Sequence, residues 1–132
     1  MDVFGDKWSN HTERIRENWV ATVSNDDTVV IPGDVSWGMK TDDAVQDFLF
    51  LDSLPGKKII SKGNHDYWWQ SMKKLGEFLQ KHSITTISFL YNNAYVCEDF
   101  IICGTRGWFV ENSYSPQDEK IVNRESERLR LS

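Results

Sequence analysis

The sequence predicts an α/β domain with a mixed sheet flanked by helices. Two short apolar runs, at residues 28–31 and 58–61, are each followed by a glycine and then by polar side chains. A helical pattern lies between the runs, and the order strand, helix, strand favours a right-handed crossover with both strands parallel in one sheet. The 132 residues are enough for one domain with its own core. We therefore expect a single domain over residues 1–132.

The first element is predicted to be a helix over residues 10–23. Its apolar positions are Trp8, Ile15, Trp19 and Val23. Their helical spacing predicts one buried face. Asn10, followed three residues later by a glutamate, has the form of a capping box. We interpret His11 as a solvated histidine at a helix start.

The central elements are a strand at 28–31, a helix at 41–54 and a strand at 58–61. The apolar positions of this helix are Ala44, Val45, Phe48, Leu49 and Leu51. They predict a broad buried face behind a Thr41 cap. Pro55 and Gly56 end the helix, and the strand follows at once.

The remaining pattern predicts a helix at 67–82, then short strands at 85–90, 94–97 and 100–103. Trp68, Met72 and Leu75, with Phe78 or Leu79, are predicted to be buried by that helix. Asn92 with Asn93, and Glu98 with Asp99, predict two hairpin turns. Ser115 and Pro116 then predict the cap and first turn of a final helix that continues to Ser132.

Composition excludes several classes of protein. A net charge of −5 and a pI near 5.1 argue against general binding to nucleic acid backbones. The sequence contains neither a membrane-spanning apolar run nor a signal-peptide pattern, which favours a cytoplasmic location without a membrane partner. Cys97 and Cys103 are interpreted as two buried reduced thiols, with a hairpin disulfide as the alternative.

Polar side chains at the two strand ends suggest metal chemistry. Asp34 follows the first strand, and Asn64 and His65 follow the second. Because parallel strands end at the same edge of a sheet, we expect these side chains to lie together. Carboxylate and amide oxygens suit Mg or Mn, and imidazole suits Fe or Zn. Three such ligands do not fill an octahedral sphere or a two-metal clamp.

These residues carry a resemblance to a known family. GDVSW (33–37) and GNHDYWW (63–69) resemble the second and third signature blocks of the calcineurin-like metallophosphoesterases. GTRGW (104–108) resembles a block of a bacterial branch of predicted phosphohydrolases. The resemblance implies a paired-sheet sandwich that hydrolyses small phosphate mono- or diesters with two divalent ions drawn from Mn, Fe, Zn or Mg.

The resemblance also implies roles for individual residues. Asp34 would bridge the two metals, and Asn64 would bind the second metal. His65 would face the substrate phosphate, with Asp66 behind it as the second catalytic residue. For Arg106, contact with the substrate phosphate and a surface ion pair are equally supported. Trp37, Trp69 and Trp108 are predicted to wall the site, whereas Trp8, Trp19 and Trp68 are predicted to pack in the core.

Family blocks missing from the sequence predict a fragment. There is no opening Asp-x-His and no Gly-His-x-His, and no histidine follows His82. We expect the central portion of a longer enzyme, with part of the site. The alternatives are an inactive truncated product, one half of a split enzyme that needs a complementary chain, and a tryptophan-lined binding module. Missing neighbours also predict self-association of the isolated chain.

Overall fold

The computed structural model describes Gly5, residues 8–108 and residues 114–132. Its first half consists of α1 (His11–Thr22), β1 (Thr28–Ile31), a 3-10 turn (Thr41–Ala44), α2 (Val45–Asp52) and β2 (Lys57–Ser61). Its second half consists of α3 (Met72–Lys81), β3 (Ile87–Leu90), β4 (Asn93–Cys97), β5 (Phe100–Gly104) and α4 (Pro116–Leu131). The α/β class predicted from the sequence is confirmed.

Strands β1, β2 and β3 form one sheet in that order, and both pairings are parallel. Thr28 pairs with Lys57, and Lys58 pairs with Ile87. The predicted parallel pairing of the first two strands is therefore confirmed. Each pairing needs a long connection, and the helical segments α2 and α3 lie within the two connections.

The predicted hairpin between β3 and β4 is wrong. β3 pairs with β2, and β4 pairs only with β5 among the described strands. Ile87, Phe89 and Leu90 are buried, which suits a strand covered on both faces. Asn92 adopts a left-handed conformation with φ of 60°, and the Asn93 side chain binds the Tyr91 amide and the Phe89 carbonyl. The turn thus directs the chain out of the parallel sheet.

The core lies between the parallel sheet and helices α2 and α3. It contains Ala44, Phe48, Ile60, Trp68, Leu75, Phe78, Ile84, Ile87 and Phe89. Trp68 comes from the loop before α3, since this helix begins at Met72, where the Ser71 side chain caps it by accepting from the Lys74 amide. Met72 lies at the exposed first turn, so its predicted burial is wrong.

Helix α1 has the predicted position but lies on the surface. It contains no buried residue, and Trp8 just before it is also exposed, so the predicted core role of Trp8 is wrong. Trp19 is half-buried and donates from Nε1 to the Pro55 carbonyl at 3.0 Å. Asn10 has φ of 55° and makes no side-chain cap, so the predicted capping box is also wrong. An N-cap side chain needs an extended backbone, which Asn10 lacks.

Strands β4 and β5 form a separate antiparallel ribbon with the predicted turn at Glu98 and Asp99. One face contacts the parallel sheet, because the Tyr95 hydroxyl donates to the Phe89 carbonyl at 3.0 Å. The side chains of Val96 and Ile101 pair on the opposite face and are exposed. The two cysteines are free, as predicted, but Cys103 is exposed and Cys97 only half-buried, so their predicted burial is wrong.

The predicted start of α4 is confirmed. The Ser115 side chain accepts from the Asp118 amide, and the Asp118 carboxylate accepts from the Ser115 amide. Across the described part of the chain, none of the helices combines the length and apolarity that a membrane crossing needs.

Candidate functional site

The loops after β1 and β2 touch each other at two glycines. A Cβ on Gly33 would lie 2.2 Å from the Gly63 amide nitrogen, and a Cβ on Gly63 would lie 2.1 Å from Asp34 Oδ1. Gly33 also has φ of 105°, which side-chain-bearing residues rarely adopt. The glycine that follows each strand is therefore needed for the close approach of the two loops.

Asp66 holds the two loops together by hydrogen bonds to both. Its carboxylate is buried, with 2% of the residue exposed. Oδ2 accepts from the amides of Asp34 and Gly63 at 2.9 and 2.8 Å. Oδ1 accepts from the Val35 amide and from Trp68 Nε1, both at 3.0 Å. Both carboxylate oxygens are thus used for positioning, and neither accepts a hydrogen bond from the His65 side chain.

Asp34 and His65 contact each other at the edge of the sheet where β1 and β2 end. The His65 amide donates to Asp34 Oδ1 at 2.9 Å, and His65 Nδ1 lies 3.1 Å from Asp34 Oδ2. Burial acts to raise the pKa of Asp34, but the hydrogen bonds and the charge of His65 outweigh it and lower that pKa below its ordinary value. About half of each side chain is exposed, so solutes reach the pair directly.

Asn64 and two aromatic residues surround the His65 ring. Asn64 Nδ2 lies 3.3 Å from His65 Nε2. The Trp37 ring stacks on the imidazole with centroids 6.0 Å apart, and the Tyr67 ring meets it edge-on at 6.3 Å. Trp37 thus lies at the predicted place. Trp69 instead packs on Phe89 in the core, so it does not wall this edge.

A pair of cationic side chains lies nearby, and one of them was not predicted. Arg106 has its guanidinium over the Trp108 ring at 4.9 Å, and its buried Nε has no hydrogen-bond acceptor among the described residues. Burial lowers the pKa of Lys62, and the charge of Arg106 lowers it further, against the opposing effect of Asp66 and Glu125. A lysine directly before the second strand-end glycine was the sequence signal for Lys62.

Arg106 makes no ion pair with any residue that the structure describes. Trp108 is held beside the start of α4, because its Nε1 donates to Asp118 Oδ1 at 2.8 Å. Thr105 also donates to Glu125, so the segment 104–108 is hydrogen-bonded to α4 at two places.

The donor set at this edge suits a hard divalent ion in part. Asp34 supplies carboxylate oxygens, Asn64 an amide oxygen and His65 an imidazole. No group of three or more His, Cys, Asp and Glu side chains within the described residues is arranged to hold a metal. Three such ligands do not fill a two-metal clamp.

Comparison with known families agrees with this architecture. The family model of the calcineurin-like phosphoesterases matches residues 6–130, nearly the whole chain. No curated protein and no solved structure gives a significant match. The match to the family and the strand-end site support the same assignment, and the chain belongs to the calcineurin-like phosphoesterase family.

Proposed function

We propose that the chain carries part of the active site of a cytoplasmic, metal-dependent phosphoesterase that hydrolyses small phosphate mono- or diesters. The observation that carries the proposal is the contact of Asp34 with His65, at 2.9 and 3.1 Å, on the edge where two parallel strands end. Such edges are where open α/β sheets bind ligands. Membership of a phosphoesterase family gives this edge its chemistry.

Asp34 and Asn64 are proposed to hold divalent ions. Bound divalent ions polarise the phosphoryl oxygens and lower the pKa of water to the range where it becomes a nucleophile at neutral pH. Asp34 has the exposure this role requires. Its lowered pKa keeps it ionised at neutral pH, as a ligand must be.

His65 is proposed to donate a proton to the substrate. When Nδ1–H donates to Asp34 Oδ2, Nε2 is left as the acceptor, which agrees with the Asn64 amide group lying 3.3 Å from it. We propose that Nε2 carries the proton that passes to the leaving oxygen. Asp66 is proposed to act as a positioning residue, through the backbone amides that it accepts from.

Arg106 and Lys62 are proposed to bind phosphate oxygens. The Arg106 Nε–H lacks an acceptor among the described residues, and a phosphate oxygen would supply one. Two cations held close together repel each other, so an anion between them would relieve both the repulsion and the unpaired donor.

Titration with Mn tests the proposal. We expect the isolated chain to bind Mn in calorimetry, with Asp34→Asn and Asn64→Ala each weakening binding at least about tenfold. Asp42→Asn is the matched control, because Asp42 is exposed and pairs with Lys81 away from this edge. Equal Mn affinity in Asp34→Asn and the control would refute the metal role of this edge.

Activity measurements distinguish the proposal from its two alternatives. We expect little turnover of p-nitrophenyl phosphate or its diester by the chain alone, because Asp34 and Asn64 are too few ligands to complete a binuclear metal site. The alternative proposals are an inactive truncated product and one half of a split enzyme. Turnover on adding a second chain that carries an Asp-x-His strand would support the split enzyme, and metal-dependent turnover without it would refute both.

A further inference from the structure

A cavity lies beside the candidate site, between the start of α1 and the loop that follows β1. Its volume is about 640 Å³, within the range of sites for small molecules. The principal lining residues are His11, Ser36, Trp37, Met39, Asp43 and Asp47. His11 is half-buried at this cavity, so its predicted solvated position at a helix start is only partly confirmed.

The cavity shares Trp37 with the candidate site. The indole stacks on His65, yet 68% of Trp37 is exposed, which leaves much of its surface to the cavity and solvent. Met39 is 66% exposed beside it. A molecule that contacts Trp37 from the cavity is therefore separated from the His65 imidazole only by the indole ring.

Two carboxylates give the cavity a negative charge. Asp43 Oδ2 accepts from the Lys40 amide at 3.0 Å, and Asp47 Oδ2 accepts from the buried Ser36 hydroxyl at 2.5 Å. No hydrogen bond from the described residues reaches the other oxygen of either carboxylate, and no described cationic side chain pairs with them. These hydrogen bonds fix both carboxylates in place.

We propose that this cavity binds an alkylammonium group on the alcohol part of a small phosphate ester. An exposed indole with fixed carboxylates is the combination that recognises ammonium groups, through cation–π attraction and direct charge attraction. The same negative charge repels a phosphate, which is drawn instead to Lys62 and Arg106. The inference rests on the proposed function, because it assigns the leaving group of that same site.

Ligand binding to the metal-free chain tests the cavity without requiring turnover. Choline is the probe, and 3,3-dimethylbutan-1-ol is its neutral isostere. The readout is the shift of the Trp37 indole N–H signal in NMR, assigned with Trp37→Phe. We expect choline to bind and the isostere to bind at least about fivefold more weakly.

Variants locate the effect. The double variant with Asp43→Asn and Asp47→Asn should weaken choline binding about tenfold, read from the Trp37 indole N–H signal. Trp37→Leu lacks that signal, so its choline affinity is read from the choline methyl signal instead, and we expect it to be about fivefold weaker. Asp42→Asn, a neighbouring exposed acid outside the cavity, should leave choline affinity unchanged. Equal affinity for choline and the isostere, or an unchanged affinity in the double variant, would overturn the proposal.

Two further comparisons distinguish the cavity proposal from binding to a membrane and from the proposed function. Binding to phosphatidylcholine vesicles without binding of free choline would overturn the assignment to a small ester. Choline binding in a chain whose Mn titration fails would uphold the cavity and remove the proposed function, whereas Mn binding through Asp34 without choline binding would do the reverse.

Discussion

Removal of the Asp66 carboxylate should destabilise the fold more than any exposed change at the site. Four donors point at this group: the amides of Asp34, Val35 and Gly63, and the Trp68 indole. A buried donor left without an acceptor costs roughly 1–3 kcal/mol. Some of the amides gain water when the loops loosen, so we expect Asp66→Ala to lower the free energy of unfolding by about 3–5 kcal/mol.

Asp66→Asn provides a graded version of the same test. The amide keeps one oxygen acceptor but turns an NH₂ group towards two N–H donors, so we expect a loss of about 2–3 kcal/mol. A total stability of about 5–15 kcal/mol makes both changes large. The loops should also loosen, which would separate His65 from Asp34.

Urea unfolding followed by tryptophan fluorescence and circular dichroism measures both losses. Histidine NMR signals report the contact between Asp34 and His65 independently. Asp42→Asn is the control and should stay within about 0.5 kcal/mol of the unaltered chain. Asp66→Asn with a stability inside that same margin and an unchanged His65 signal would refute the positioning role.

Three other changes have defined outcomes. Gly63→Ala places a Cβ 2.1 Å from Asp34 Oδ1, so we expect it to lower the free energy of unfolding by about 1–3 kcal/mol and to shift the His65 NMR signal. Gly76→Ala lies in open space within α3 and should raise the free energy of unfolding by about 0.5–1 kcal/mol. Equal effects of the two changes in urea unfolding would contradict this. Burial acts to raise the pKa of Asp52, but its threonine hydrogen bonds lower it below the ordinary 3.8, so its stabilisation is present above that pH and is lost as pH falls through the lowered pKa. Asp52→Asn should therefore flatten the acid decline of stability below about pH 4, and an unchanged slope would count against it. Ser115→Ala removes the α4 cap and should lower thermal stability by about 1 kcal/mol, so an unchanged melting temperature would contradict the cap.

The sequence predicted the edge of the sheet where the candidate site lies. An apolar strand followed by glycine and a polar residue occurs twice, and parallel pairing brings both ends to one edge. Asp34, Asn64 and His65 were therefore expected together, and the structure places them within hydrogen-bond distance. The α4 start was equally readable, because Ser115 caps through residues close to it in sequence.

Features that depend on contacts between distant segments were not predictable. The turn residues after β3 predicted a hairpin, but β3 pairs with β2 in the parallel sheet, where Phe89 is buried. Asp66 was expected behind His65, yet two of its four hydrogen-bond partners come from a loop some thirty residues earlier in the sequence. The cavity beside Trp37 is formed by α1 and the loop after β1, whose approach no local pattern indicates.

The parallel sheet also sets an order for the appearance of the site during folding. Its two pairings each close a stretch of roughly thirty residues, while β4 and β5 are joined by a short turn. Hairpins form in about 1–10 μs, whereas pairings distant in sequence must first overcome the entropy of closing a long loop. The ribbon is therefore expected early and the strand-end edge later, because Asp34 and His65 meet only after β1 has paired with β2.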